Sequence, residues 1–264
     1  MDYQYILVDV KDRIATVTIN RPEYSNAFAR ESYFEIADAM NTLSAREDVG
    51  AIVITGAGKH FSAGGDIKRF KMLVDTGAYL KAEDIEAVSA MPMSIRNCPK
   101  PVIAMINGVA TGAGLSCALA CDFRIVEPSS KMIMAFVNMG LCGDNESIYT
   151  LMRLVGPDKA ELMMMTGDAY KGEQCVKTGL ATVLAEDGKL AETTYALAAK
   201  LASKSSTAHA GQKRLIRKYF YGGMENFAKD EGIEMAAASR QPDFTEAVNA
   251  FIEKRMPAYN LPHK

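Results

Sequence analysis

The stretch that most constrains this chain covers residues 100–122, KPVIAMINGVATGAGLSCALACD. Residues 101–106 form a short apolar run suited to a buried strand, with Pro101 at a position a strand start tolerates. Residues 107–114 read as a turn carrying Gly108, Gly112 and Gly114. Residues 115–120 are small and apolar, which suits a helix buried on most sides. A strand that passes through a glycine turn into a helix leaves the first helical N–H groups unpaired. They sit at the positive end of the helix dipole and favour a negative oxygen. The same pattern also describes a tight turn packed on a helix. The glycines do not spell G-x-G-x-x-G, so a dinucleotide fingerprint is not supported.

A second glycine loop, GAGKHFSAGGD at 56–66, directly follows the apolar run 51–55. Around these two units the chain reads as α/β. Residues 5–10 and 13–20 are strands of a hairpin turning at Lys11-Asp12, and 26–46 is an amphipathic helix. Residues 67–80 start as helix and end as loop, and 83–95 is helix interrupted near Pro92. Residues 123–126 are a strand, 145–155, 156–166 and 171–179 are helical, and a short strand lies near 181–184. From 190 to about 255 the pattern is helical throughout. The expected division is an α/β core over 1–190 and a helical region over 191–264.

With 264 residues, 48% of them hydrophobic, a sizeable core is expected. The net charge of −2 offers nothing to a nucleic acid. No apolar run reaches bilayer length and Met1 opens no leader, so neither a membrane nor secretion is expected. The five cysteines include no C-x-x-C pair and read as reduced thiols of a cytoplasmic protein. No metal-site spacing is present.

Two glycine loops after two buried strands suit a reaction that develops charge on one oxygen, which needs two converging N–H donors. Ala63 and Ala113 are placed to supply one each, although sequence does not show that the loops meet. HFSAGGDIKRF and INGVATGAGLSCALACDFRI resemble the two signature segments of the crotonase (enoyl-CoA hydratase/isomerase) superfamily. NRPEYSNAF, TGDAYKGEQCVKTGLATVL and EAVNAFIEKRMP extend the resemblance over nearly the whole chain.

The resemblance implies a crotonase-like spiral core with a helical C-terminal trimerisation region, a homotrimer or hexamer, and an acyl-CoA substrate. Coenzyme A enters as part of the substrate, and no separate cofactor is implied. Ala63 and Ala113 align with the two oxyanion-hole donors. Asn26, Ala27, Ala63, Gly64, Gly65, Asp66 and Ile67 fall where the family holds CoA, although Asp66 also reads as a helix cap. Lys254 matches a basic residue that reaches CoA phosphates from a neighbouring subunit; as a bare residue it is a solvated charge.

Hydratases of the family carry two glutamates where this chain has Ser116 and Phe136. Asp144 stands where single-acid isomerases of the family place their catalytic aspartate, and it also reads as a cap for the following helix. Glu146 is a spare carboxylate in a first helical turn. Ser116 reads as a helix back-bond, and Tyr149 as core. Met132, Met134, Met139 and Met163 to Met165 read as core or acyl-pocket lining. The expected reaction is a double-bond shift with Asp144 as the single acid/base. Hydrolysis, dehalogenation and hydration are same-fold alternatives, and a catalytically silent CoA-binding protein is the alternative of another class.

Overall fold

The computed structural model describes residues 2–259. The chain opens with an antiparallel hairpin, Ile6–Lys11 (β1) and Ile14–Ile19 (β2), in register from Ile6 opposite Ile19 to Lys11 opposite Ile14. Its turn is Asp12-Arg13, one residue later than expected, since Lys11 still pairs. Both turn residues have positive φ, 50° and 65°, as a two-residue hairpin loop of this hand requires.

Helix Arg30–Ala45 (α1) leads to strand Ala51–Gly56 (β3). Helices Ile67–Thr76 (α2), Ala82–Val88 (α3) and Ala90–Asn97 (α4) follow. Then come strands Val102–Met105 (β4) and Val109–Thr111 (β5), helix Ala113–Ala120 (α5), and strands Phe123–Val126 (β6) and Lys131–Ile133 (β7). Helices Ser147–Val155 (α6) and Pro157–Thr166 (α7), strand Ala169–Lys171 (β8), helix Gly172–Thr178 (α8) and strand Val183–Leu184 (β9) complete the middle of the chain. Four helices close it: Leu190–Ala202 (α9), Ser206–Tyr219 (α10), Met224–Ala238 (α11) and Pro242–Glu253 (α12).

The main sheet has the order β1-β2-β3-β4-β6-β9, parallel everywhere except the hairpin. Alternation along β3 explains how it is covered on both faces. Ile52 and Ile54 join the large core with Ile36, Met40, Leu43, Ile95 and Leu119 of α1, α4 and α5. Ala51 and Val53 face the other way and pack with Leu190, Ala198 and Ala202 of α9. The first helix of the expected C-terminal region thus seals the second face of the core sheet.

Three boundaries differ from expectation for identifiable reasons. α1 starts at Arg30 rather than near 26, because Asn26 is left-handed (φ 57°) and Phe28 bridges to Gly65. The break in the 83–95 helix falls at Ser89, and Pro92 sits in the first turn of α4, where a missing N–H breaks no helical bond. α6 starts at Ser147 because Asn145 and Glu146 are both left-handed. The sequence reading also missed a second sheet, β5-β7-β8, whose three-residue strands are too short to show a period.

Candidate active site

The two glycine loops meet. Ser62 bridges to Ala110 of β5, with Ser62 N–H donating to Val109 O at 3.0 Å and Thr111 N–H to Ser62 O at 3.1 Å. The contact leaves no room for a side chain at Gly64 or Gly114. A Cβ on Gly64 would lie 2.6 Å from Thr111 O and 3.3 Å from Ala113 N, and one on Gly114 would lie 2.6 Å from Ser62 O. Gly112, at φ 52°, turns the chain from β5 into α5 and presents the Ala113 N–H at the helix start.

Ala63, expected as the first donor, is not free to act. Its N–H donates to Ser25 O at 3.0 Å, and the Gly64 N–H donates to Ser62 Oγ at 3.1 Å. The next N–H, that of Gly65, has no hydrogen-bond partner among the described residues, and neither has that of Ala113. Sequence points to Ala63 because it does not show which peptide of an irregular loop is spent on a neighbouring segment.

Beside these loops is an apolar cavity of about 390 Å³. Its lining includes Tyr33 of α1, Phe70 of α2, Val88 of α3, Phe136, Phe251 of α12, and Arg255 just beyond that helix. Gly65 and Ala113 both contribute to the wall. Asp66 and Asp144 are the two acids among the described lining residues. Asp66 is already engaged: it caps α2 by accepting Lys68 N–H at 2.9 Å, and it pairs with Arg21 at 3.1 Å. Its capping role therefore holds.

Asp144 is differently placed. It is buried, and its Oδ1 has no hydrogen-bond partner among the described residues. Burial pushes its carboxyl up to about 6, opposed by the Asn145 amide and the Arg69 charge beside it. Tyr33 is raised well above its usual value, first by burial and then by the Asp144 charge. Ser116 Oγ donates to Gly112 O as a helix back-bond and to Asp144 O, both at 3.2 Å. The helix carrying the Ala113 N–H thus also holds the Asp144 peptide.

Several expected site residues serve other purposes. Asn26 is fully buried, accepting Arg21 N–H at Oδ1 and donating from Nδ2 to Ala57 O and His60 O. It braces the loops and does not line the cavity. Ala27 does not line it either; its carbonyl accepts from Arg21. Ala63, Gly65, Asp66 and Ile67 line the cavity, and Gly64 does not. Lys254 caps α12 at φ 56°, exposed, while Arg255 next to it faces the cavity. Tyr149 is core, with its hydroxyl donating to Gly222 O at 2.6 Å. Met139 lines the cavity, Met132, Met134 and Met163 are buried, and Met165 is exposed. Phe28, Tyr33, Arg69, Met235 and Phe251 were missed, because they reach the cavity from four separate parts of the chain.

Residues 9–261 match the family described as Enoyl-CoA hydratase/isomerase. A trans-2-decenoyl-[acyl-carrier-protein] isomerase of Streptococcus mutans is 31% identical over 98% of this chain and 99% of its own. A 1,2-epoxyphenylacetyl-CoA isomerase of Escherichia coli is 30% identical over 97% and 98%. The crystal structure of an enoyl-CoA hydratase from Mycobacterium avium subsp. paratuberculosis superposes with a TM-score of 0.89, at 26% identity over 98% of this chain and all of that one.

Proposed function

Since the chain belongs to the enoyl-CoA hydratase/isomerase family, we propose that it is a double-bond isomerase of acyl thioesters with Asp144 as its single acid/base. The observation that carries this reading is the inventory of the cavity wall. Among the described lining residues Asp144 is the one acid not tied up in a cap and an ion pair, and its carboxyl, pushed up to about 6 by burial, suits a base at neutral pH. Hydration through a carboxylate pair would need a second acid. Ser116 and Phe136 occupy the positions expected for it from the resemblance.

The thioester oxygen sits between the N–H groups of Gly65 and Ala113. Their donation stabilises the negative charge that develops when the α-carbon loses a proton. For a 3-enoyl thioester, Asp144 takes the α-proton and the C–H electron pair enters a dienolate. Asp144 then returns the proton to the γ-carbon, leaving a 2-enoyl product. The proton leaves one carbon and arrives at another of the same substrate, so one carboxylate suffices. The apolar wall keeps water from the dienolate.

The decisive assay follows conversion of 3-enoyl to 2-enoyl thioesters in D₂O. The Streptococcus relative is named for a carrier-protein thioester, so both CoA and acyl-carrier-protein handles belong in the panel. Asp144→Asn is expected to lower kcat by about 10²–10⁴, the usual worth of a positioned acid/base, with little change in KM. Wild-type turnover in that variant on every active thioester would refute the mechanism.

The assembly is proposed to be a trimer or a dimer of trimers. Met235 and Phe244 on the C-terminal helices are buried within the chain. Leu215, Tyr219, Phe220, Ile233, Phe251 and Met256 remain exposed on the C-terminal helices and beyond α12, and this apolar surface supports association.

A further inference from the structure

Close to Asp144, and not among the residues that line the cavity, lie two buried carboxyls that the proposed reaction does not use. Glu146 is 0% exposed and Glu231, on α11, is 4% exposed. The Glu146 N–H donates to Glu231 Oε2 at 2.7 Å. Glu146 occupies the N-cap position of α6 and makes no local side-chain cap; an acceptor 85 residues away, on another helix, meets its N–H instead. Asn145 and Glu146 are consecutive non-glycine residues at φ 54° and 52°, a conformation that persists only where the surroundings impose it. Asp144 directly precedes this pair. Glu231 and Met235 are one helical turn apart, so α11 reaches both the catalytic loop and the acyl cavity.

We propose that Glu231 and Glu146 are positioning residues for Asp144: Glu231 fixes from α11 the left-handed turn that aims the aspartate, and the Glu146 carboxyl must stay uncharged for the turn to hold. This rests on the reading of Asp144 as the acid/base. Among the described residues, neither Glu146 oxygen, nor Glu231 Oε1, nor the Asn145 side-chain amide has a partner in hydrogen-bond geometry. An ionised Glu146 would therefore be a bare buried charge.

The groups facing Glu146 are Ser89 between α3 and α4, Arg217 on α10, Glu225 and Glu231 on α11, and Asp144 on its own loop. Ser89 Oγ lies near enough to favour the charged form, although its hydrogen bond, at 3.5 Å, is to Ile85 O. Burial outweighs it and pushes Glu146 up to about 8, with the Asp144 and Glu225 charges adding and Arg217 opposing. Glu231 is raised well above its usual value by burial and then by Asp144 and Glu146. At neutral pH the negative charge of the three therefore resides on Asp144. The three carboxyls do not come together as a metal site among the described residues.

The test compares pH profiles of kcat and KM, on an active 3-enoyl thioester, for wild type and variants. Wild type should rise as Asp144 ionises near 6 and fall as Glu146 ionises near 8. Glu146→Gln should keep the acid limb and lose the alkaline one. Glu231→Ala should lower kcat by about tenfold or more with KM nearly constant, and Glu231→Gln, whose amide oxygen still accepts the Glu146 N–H, should restore most of it. An alkaline limb that persists in Glu146→Gln, or unchanged kcat in Glu231→Ala, overturns the proposal. If Glu231→Ala does not fold, the Glu146→Gln profile decides alone, since that side chain keeps its shape. An inactive Asp144→Asn with an unaltered Glu146→Gln profile sinks only this inference; a fully active Asp144→Asn sinks the acid/base reading beneath it.

Discussion

Replacing Glu146 by glutamine should stabilise the folded protein at alkaline pH and leave it nearly unchanged in acid. The ordinary glutamate value of 4.5 describes the unfolded chain, and burial pushes the folded value to about 8. Between those two values the folded chain holds a proton on Glu146 that the unfolded chain has lost. Folding then takes up a proton, and raising the pH opposes it. Below pH 4.5 both states are protonated and the side chain contributes its full stability. Above pH 8 both are ionised and no more is lost. Each pH unit in the window is worth about 1.4 kcal/mol, so the loss amounts to at most about 5 kcal/mol. Glutamine has the same shape and no proton to lose, so the variant should gain that difference progressively. Denaturant unfolding at pH 5 and pH 8.5, at one ionic strength and one protein concentration, measures it. A variant-minus-wild-type difference equal at the two pH values would refute the reasoning, because it would mean that Glu146 ionises as easily folded as unfolded.

Phe136→Ala opens the apolar wall beside Asp144 and admits water, so the acid limb of the kcat profile should move below about 6, toward an ordinary aspartate; an unmoved limb would show that Phe136 does not keep the site dry. Gly114→Ala puts a Cβ 2.6 Å from Ser62 O, between the two loops, and should cost about 1–3 kcal/mol in thermal or denaturant stability and also lower kcat. Sedimentation at micromolar concentration should give a trimer or hexamer, and Leu215→Glu with Tyr219→Glu should shift it to smaller species; a wild-type monomer would contradict the proposed assembly.

Much of the fold is legible because apolar runs and glycine turns are local signals. The strands at 51–56, 102–105 and 123–126, and the helices that follow the glycine loops, stand close to where periodicity puts them. The three-residue strands β5, β7 and β8 were invisible, because they exist only through pairing with distant segments. Asp144 was singled out through the resemblance to single-acid members of the family, and it lines the cavity. Glu231 was not, since a polar residue in a helix gives no sign that it will be buried against another helix's first turn.

The sequence by itself determined the α/β class, the two glycine loops, the carboxylate at 144 and the absence of one at 116 and 136. Each depends on residue type at one position or on a local period. Only the tertiary structure decided that the loops meet, that Ala63 is spent on Ser25 O while Gly65 is left open, and that Asn26 braces backbone instead of facing the cavity. It also decided that two further carboxyls are buried close to Asp144. The physical reason is that a hydrogen-bonding group is free or engaged, and a carboxyl charged or neutral, according to what packs against it. In this chain such partners lie far apart in sequence: the acceptor that meets the Glu146 N–H is 85 residues away.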